Sequence, residues 1–399
     1  MKVRLTPCHL AALLLPFLSV APETGGDRAV GQDAGNPAQA GIQTSDPIAK
    51  TEGLPEYLKR TDLQINRMMA AYGNAPRNPL VFGCNLVLAH GGIINRVPVP
   101  VLLKSADALK EAGAQRIEMN PLVKDGGDPR AARKYKAVIE HIRALGLQIA
   151  INPESADPAI AGISNFDTYQ KAALAAYAQW ASDYKPDHFV LVHEPTTMAA
   201  RMHIHTTPEQ WRGFIEATAK AVKQASPRTR IGAGCFAGLT DREIPFFQEF
   251  STIPELEFLT LDNYVGTPRA IATMDQMVKI AGGAQKPLYM EETWRPHFLR
   301  KGQPHMEGKS MESISAIGFG WAGFESLDER WIQAMTLYAA THGMESVTVF
   351  QTRCFFLYVT SGPTDGPVYE KQVEQAVLEN KHTQTLEAFL QYTKKFGHL

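Results

Sequence analysis

The feature that most constrains the fold of this chain is a regular alternation of short apolar runs with helix-like segments. Each apolar run is bounded by turn residues and fits a strand that is buried in a parallel sheet. The segments between the runs repeat apolar residues at helical spacing, as at Ala131, Tyr135, Val138 and Ile142. The predicted strands lie in 80–88, 115–119, 147–151, 187–195, 230–234, 257–261, 288–292 and 346–350. Eight strands alternating with about eight helices predict an α/β fold, the (β/α)8 TIM barrel.

An open, doubly wound sheet would also alternate strands with helices. Such a sheet usually has a glycine-rich phosphate-binding turn after its first strand. Here the first strand runs into His90-Gly91-Gly92, which is not a G-x-G-x-x-G turn. The pattern therefore favours the closed barrel over the open sheet.

The N-terminal part of the chain differs in character from the rest. Two basic residues precede an apolar run that ends at Ala21 in a small-x-small pattern, so 1–21 fits a secretory signal peptide. A cytosolic helix or a membrane anchor is the other interpretation, but the run is short for spanning a bilayer. Residues 22–53 have the composition of a flexible linker. We therefore predict one catalytic domain over 54–399, in a secreted or periplasmic protein with no membrane association after signal cleavage.

Charge and cysteine content exclude several partners and cofactors. The formal net charge is −1, so the chain has no excess of basic residues and nucleic acid is not expected as a partner. Cys84, Cys235 and Cys354 form no C-x-x-C pair of the kind that binds zinc or carries redox chemistry. Buried free thiols are expected. A Cys84–Cys354 disulfide is the alternative, because the first and last strands of a barrel are neighbours. No cofactor is predicted.

Two of the predicted strands end in carboxylates. The stretch 187–195 runs through apolar residues into Glu194, and the stretch 286–294 runs into Glu291 and Glu292. The carboxyl ends of barrel strands converge on one rim, which is where barrel enzymes place their active sites. Two carboxyl groups at such a mouth are the minimum equipment for glycoside hydrolysis.

In these two motifs the chain resembles clan A of the glycoside hydrolases, the retaining (β/α)8 glycosidases that include cellulases, mannanases and galactanases. The clan usually ends strand four in Asn-Glu-Pro, and this chain has His193-Glu194-Pro195. Its strand seven often reads Lys-Pro, three apolar residues, one variable residue and Glu, which selects Glu292. The resemblance implies that Glu194 is the acid/base, that Glu292 is the nucleophile and that the substrate is a carbohydrate.

Two departures from the clan pattern affect the site. His193 replaces the asparagine that normally bonds the sugar 2-hydroxyl, although some mannan-cleaving members also carry histidine there. Glu291 competes with Glu292 for the nucleophile position when the spacing is counted back from Trp294. Neighbouring side chains of a strand point to opposite faces, so we expect only one glutamate to face the pocket, and we favour Glu292.

Other residues near the strand ends fit sugar recognition. The resemblance implies that Tyr264, beyond the sixth strand, bonds the nucleophile, with packing at the rim as the alternative. Asparagines near the first three strand ends suit sugar hydroxyls, although two of them precede proline and also fit turns. The candidate substrate-binding residues are His193, Tyr264, Asn85, Asn120, Asn152 and Trp294, with Phe298 and Trp321 as further stacking platforms. The long segment 295–327 is expected to shape the cleft.

A histidine pattern raises the possibility of a metal site. His203 and His205, with His90 and His193, supply residues that bind divalent metals. The His-x-His pair lies well beyond the fourth strand, however, and no carboxylate–histidine cluster accompanies it, so no metal is predicted.

The function that the sequence favours is a secreted retaining glycoside hydrolase that acts on an oligosaccharide or polysaccharide by double displacement. One alternative is a divalent-metal-dependent sugar isomerase or epimerase on a similar barrel. The other is a non-catalytic barrel that binds carbohydrate.

Overall fold

The computed structural model describes residues 54–74, 78–154, 165–238, 241–295, 321–359 and 366–397. The predicted signal peptide and linker lie outside these ranges. Phe298, most of the long segment after the seventh strand and the side chain of Trp321 also lie outside them.

Eight parallel strands close into a barrel in chain order, with the last strand paired to the first. The strands are β1 (Val81–Asn85), β2 (Arg116–Met119), β3 (Gln148–Ile151), β4 (His188–Val190), β5 (Arg230–Phe236), β6 (Phe258–Asn263), β7 (Leu288–Thr293) and β8 (Ser346–Val349). Every neighbouring pair is parallel. The predicted (β/α)8 TIM barrel is confirmed.

Helices alternate with the strands as the apolar spacing predicts. The described helices are α1 (Leu54–Tyr72), α2 (Val99–Glu111), α3 (Pro129–Ala144), α4 (Phe166–Tyr184), α5 (Pro195–Arg201), α6 (Pro208–Ala225), α7 (Ile244–Ser251), α8 (Pro268–Gly283), α9 (Glu325–Thr341), α10 (Gly366–Leu378) and α11 (Gln384–Phe396). In α3 the residues Ala131, Tyr135, Val138 and Ile142 are all buried, so this apolar face packs against the core. Within the described ranges, no helix has the length and apolar character needed to cross a membrane.

Polar caps and prolines fix where several helices begin. The Asp128 side chain accepts a backbone hydrogen bond at the start of α3, and Thr207 forms a reciprocal capping box with Gln210 at the start of α6. Proline suits the first helical position because its missing N–H would have no partner inside the helix. The same rule makes α5 begin at Pro195, so Glu194 is held at the junction between the end of the β4 segment and the first turn of α5.

Aromatic side chains fill the amino-terminal half of the barrel interior. Phe258 of β6 stacks on Tyr289 of β7 with ring centroids 4.5 Å apart, and Val190 of β4 packs with them. The guanidinium of Arg230 lies over both rings, 5.7 Å from each centroid. Phe258 and Tyr289 stand near the amino-terminal ends of β6 and β7, whereas Glu292 lies near the carboxyl end of β7.

A bulge in β7 changes where its two glutamates point. Between the residues Met290 and Thr293, two residues of β7 stand opposite a single residue of β8. Glu291 lies 3.4 Å from Arg116 of β2, a contact that is possible only through the barrel interior. The expectation that Glu291 and Glu292 point to opposite faces is therefore wrong, because the bulge interrupts the regular alternation of the strand.

The cysteines of the described ranges carry no disulfide. Cys84, Cys235 and Cys354 are buried free thiols, as the sequence favours, and the possible Cys84–Cys354 bridge is not formed. Burial raises the pKa of all three thiols, which makes them poor nucleophiles.

Candidate active site

The carboxyl ends of β4 and β7 bring two glutamates to the mouth of the barrel. Glu194 directly precedes α5, and Glu292 lies in the bulge of β7. Each is 3% exposed. The phenol of Tyr264, just beyond β6, donates a hydrogen bond to Glu292 and lies near the carboxyl group of Glu194. Both carboxyl groups are therefore close to one hydroxyl.

Hydrogen-bond donors surround the carboxyl group of Glu292. Nδ2 of Asn120 lies 3.2 Å from Oε1, and Nδ2 of Asn152 lies 3.4 Å from the same oxygen. The Tyr264 hydroxyl donates to Oε2. The backbone N–H of Glu292 donates to Oδ1 of Asp262 at 3.1 Å, which fixes the bulge. Three donors on one carboxyl group stabilise its ionised form, as a nucleophile requires.

The carboxyl group of Glu194 has fewer partners. Its Oε1 is buried and has no hydrogen-bond partner among the described residues. Burial raises the pKa of Glu194 to about 7, although the positive charge of Arg201 and the nearby hydroxyls of Thr197 and Tyr264 oppose the shift. A carboxyl group that keeps its proton near neutral pH fits a general acid.

The two carboxyl groups also influence each other. Burial raises the pKa of Glu292 and the nearby Glu194 adds to the shift, whereas the hydrogen bond from Tyr264 lowers it. Two buried carboxylates whose charges repel each other do not ionise together readily, so the pair holds one proton near neutral pH. The three donors on Glu292 favour the negative charge there, which leaves the proton on Glu194.

A buried ion pair with two histidines lies beside Glu194. Nη1 of Arg201 is 2.7 Å from Oε2 of Glu154, and Nε2 of His90 is 3.4 Å from Oε1. Although burial opposes it, Arg201 and the histidines bring the pKa of Glu154 below its usual value. Burial lowers the pKa of His193 to about 4, so this imidazole is neutral near pH 7.

A further carboxyl group anchors the segment that carries Glu194. Glu243, immediately before α7, accepts a hydrogen bond from the backbone N–H of Thr196 at 3.2 Å and another from its hydroxyl. Burial raises the pKa of Glu243 to about 8, and the charge of Glu194 contributes. Because Thr196 belongs to the first turn of α5, this contact holds the helix that begins next to Glu194.

Most of the predicted substrate-binding residues converge on the mouth. Those that contact Glu292 or adjoin Glu194 in the chain are Asn120, Asn152, Tyr264 and His193. Asn85 lies deeper, where its amide donates to Oε1 of Glu118 at 3.1 Å. Trp294 is 3% exposed and packs in the core at the end of β7. Contact with substrate stays a prediction for each of these residues.

Besides Glu243, three buried carboxyl groups near the mouth were not found from the sequence. They are Glu118, Glu154 and Asp262. The signal for Glu118 was present in β2, because Arg116, Glu118 and Asn120 alternate with apolar residues and so share the interior face. The other two lie at strand ends, where any carboxylate of a barrel deserves consideration.

The histidines that raised the metal hypothesis do not form a cluster. His203 and His205 are exposed residues beyond α5. In the part of the chain that the structure describes, no three His, Cys, Asp or Glu residues are grouped to hold a metal ion.

Comparison with known proteins gives matches among solved structures alone. No protein-family model matches the chain, and no curated protein matches it significantly. An exo-β-1,4-mannosidase from Opitutaceae bacterium strain TAV5 is 12% identical with a TM-score of 0.52, over 79% of this chain and 59% of that chain. GH5_18 from Streptomyces cattleya in complex with GlcNAc is 12% identical with a TM-score of 0.52, over 80% of each chain. A variant of that Streptomyces protein in complex with Manβ1-4GlcNAc is 11% identical with a TM-score of 0.52, over 79% of this chain and 81% of that chain.

These matches establish a likeness of architecture. The chain spans 59% of the length of the mannosidase, and its identity to each of the three structures is 12% or less. The solved structures that it resembles include glycosidases, in agreement with the resemblance to clan A in the strand-four and strand-seven motifs. The chain is thus a (β/α)8 barrel similar in fold to the glycosidases of that clan.

Proposed function

We propose that this chain is a retaining glycoside hydrolase, with Glu194 as the acid/base and Glu292 as the nucleophile. The observation that carries the proposal is that β4 and β7 bring the two carboxyl groups to one mouth, where the charge of Glu194 raises the pKa of Glu292 and the hydroxyl of Tyr264 donates to Glu292. We infer that the two carboxyl groups stand at the shorter of the two separations found in glycosidases. Retaining enzymes need their carboxyl groups about 5 Å apart, whereas inverting enzymes separate them by roughly 6.5–9.5 Å.

The proposed reaction has two displacements. In the first, the Glu292 carboxylate attacks the anomeric carbon while Glu194 gives its proton to the departing glycosidic oxygen, leaving a glycosyl ester on Glu292. In the second, Glu194 takes a proton from water, the water oxygen attacks the anomeric carbon, and the Glu292 carboxylate leaves. Two inversions retain the configuration of the sugar.

The surroundings of the two glutamates support this division of roles. Asn120, Asn152 and Tyr264 donate to Glu292 and so favour its charged form before each attack. The raised pKa of Glu194, to about 7, lets it give a proton in the first step and take one in the second.

The substrate proposed is a glycan outside the cytoplasm, because the N-terminal sequence predicts export. One solved structure of similar fold is an exo-β-1,4-mannosidase, and another contains Manβ1-4GlcNAc. These names make β-mannosides the first substrates to test, followed by β-glucosides and mannan or glucan oligosaccharides.

The test is the stereochemistry of the first product. The purified protein is assayed on a panel of aryl β-glycosides, and proton NMR follows the anomeric signal of the released sugar before it equilibrates. We expect a product of retained configuration, with E292Q as the matched inactive control. An inverted product contradicts the mechanism, and activity that requires a stoichiometric divalent metal favours the isomerase alternative. A protein without activity that binds oligosaccharide equally well as E194Q favours a binding barrel.

A further inference from the structure

A second carboxyl pair lies inside the barrel, below the mouth. Glu118 of β2 and Glu291 of β7 are 0% exposed, and Arg116 of β2 is 1% exposed. Nη2 of Arg116 lies 3.4 Å from Oε2 of Glu291 and 2.8 Å from Oγ of Ser346. The carboxyl group of Glu118 lies close enough to Glu291 for their charges to interact. The two displacements proposed above use none of these side chains.

The charges of this cluster require a proton. Two ionised carboxyl groups beside one guanidinium would leave an uncompensated charge in the interior, which is costly. Burial raises the pKa of Glu118 well above its usual value, and the charge of Glu291 raises it further. Oε2 of Glu118 and Oε1 of Glu291 are buried with no hydrogen-bond partner among the described residues, so a proton shared between the two carboxyl groups would satisfy both. Glu118 is therefore neutral, and Glu291 balances Arg116.

Two asparagine amides connect Glu118 to Glu292. Nδ2 of Asn120 lies 3.3 Å from Oε1 of Glu118 and 3.2 Å from Oε1 of Glu292. Nδ2 of Asn152 lies 3.2 Å and 3.4 Å from the same two oxygens. An amide NH2 group has two hydrogens, so each asparagine can donate to both carboxyl groups at once.

The acceptor on Glu118 determines which way these amides face. Its Oε1 also accepts from Asn85 at 3.1 Å, so three NH2 groups converge on one oxygen. With this acceptor below them, Asn120 and Asn152 keep their NH2 ends between Glu118 and Glu292. The Oδ1 of Asn120 also accepts from the amide of Asn85, whereas Oδ1 of Asn152 has no hydrogen-bond partner among the described residues. Without the Glu118 acceptor, the Asn152 amide can rotate and turn its carbonyl oxygen toward Glu292, where the oxygen repels the carboxylate instead of stabilising it.

We propose that Glu118 is a positioning residue for the reaction: its neutral carboxyl group, anchored on Glu291, holds the two amides that donate to Glu292. The inference rests on the proposed function and adds to it a residue that touches no substrate. This role requires the carboxyl group of Glu118 to be neutral, because an ionised Glu118 would place another negative charge beside the nucleophile.

The kinetic test compares two variants of nearly the same shape. E118Q keeps both properties, because its carbonyl oxygen accepts from the asparagines and its NH2 group donates to Glu291. E118M keeps the length of the side chain but offers no acceptor. We expect kcat on an activated aryl glycoside to fall about 10- to 100-fold in E118M while KM changes less than ~3-fold. The acid limb of the kcat/KM profile should also move to higher pH in E118M, since Glu292 loses a donor.

The conservative variant E118Q tests the role of Glu118 even if E118M folds poorly. We expect E118Q to retain kcat within about twofold and to keep the wild-type pH profile. A folded E118Q with a loss of more than about tenfold in kcat overturns the neutral-carboxyl role. So does a folded E118M with wild-type kcat and pH profile.

A stability cycle tests the shared proton without using activity. E118Q and E291Q each leave one carboxylate for Arg116, so each should melt within about 2 °C of the wild type. The double variant leaves the guanidinium alone in the interior and should lose at least ~5 °C more than the two single changes together. If the double variant loses only the sum of the two single losses in melting temperature, the shared proton is overturned. If the protein has no glycosidase activity but the two substitutions are coupled in stability, the proposed function is contradicted and the shared proton stands. The failure of the proposed function is therefore distinguishable from the failure of this inference.

Discussion

The ends of β4 and β7 present the same side chain in two different settings. Glu194 and Glu292 are equally buried, at 3% exposure. Glu292 receives donors on both oxygens, whereas Oε1 of Glu194 has no partner among the described residues. Burial is the largest cause that raises the pKa of both. Because burial is equal, the number of donors decides which group carries the charge and which carries the proton.

The supports behind the two glutamates also differ. On the β4 side the neighbours are charged, with the Glu154–Arg201 ion pair beside the acid. On the β7 side the donors in contact with the carboxyl group are neutral amides and a phenol. A cation near an acid prevents its pKa from rising further, while neutral donors stabilise a nucleophile without pairing with it as a salt bridge would. The contrast fits one group that must exchange a proton and one that must stay charged.

The largest effects should come from removing each glutamate. E292A removes the covalent step, so we expect a loss of about 10⁴-fold or more in kcat on every substrate. E194A should lose a comparable factor on unactivated glycosides and retain much more activity on aryl glycosides whose leaving group needs no protonation. Azide should partly restore E194A and give a glycosyl azide of retained configuration, identified by NMR.

The control for this pair is E370A, which removes a buried carboxyl group that pairs with Arg96 at 2.6 Å on the outside of the barrel. We expect wild-type kcat for it at a lower melting temperature. If E194A and E292A lose the same factor in kcat on activated substrates and azide restores neither, the two glutamates do not have the different roles proposed for them. Full activity in both would remove the glycosidase proposal itself.

A smaller effect should follow from removing the Tyr264 hydroxyl, which donates to Glu292 and lies near Glu194. Y264F takes one donor from Glu292, so we expect kcat to fall about 10²-fold, the usual effect of losing one preorganised donor. The pKa of Glu292 should rise with the lost hydrogen bond, which moves the acid limb of the kcat/KM profile to higher pH. Initial rates across the pH range measure both changes.

Tyr358 provides the matched control for that variant. Its hydroxyl also donates to a buried carboxyl group, that of Asp328 at 2.7 Å. Y358F should lower the melting temperature and leave kcat and the pH profile unchanged. An unshifted profile in Y264F would mean that Tyr264 contributes packing at the rim and no charge stabilisation.

The sequence was sufficient for the barrel and for the two strand-end glutamates. Strand and helix periodicity is a local signal, and parallel strands of a barrel end at one rim whatever their order. The resemblance to clan A also implied that Tyr264 bonds Glu292, and it does contact that carboxyl group. These predictions required no knowledge of how one strand is registered against another.

The rest of the site depends on contacts between distant parts of the chain. The bulge that turns Glu291 inward exists only as a mismatch of register between β7 and β8. The partner of Glu291 is Arg116, 175 residues earlier in the chain. Strand periodicity puts Glu118 on the interior face, but only the barrel shows that its neighbours there are carboxyl groups and amides. Charge balance inside a barrel is a property of all strands together.

The smallest expected effect is a pH dependence of stability that belongs to Glu194. Its pKa is raised by burial from 4.5 to about 7, so the folded protein holds a proton that the unfolded chain releases between these values. Stability should fall by roughly 3 kcal/mol as pH rises through this window, and E194Q should remove the fall. Between pH 4 and pH 8, the melting temperature of E194Q should rise by several degrees relative to that of the wild type. The control is E140Q, because the side chain of Glu140 is 63% exposed. Its melting temperature should differ from that of the wild type by the same amount at every pH. A constant difference for E194Q as well would mean that Glu194 ionises in the folded protein as an exposed carboxyl group does, and the contrast with Glu292 would then have to rest on geometry alone.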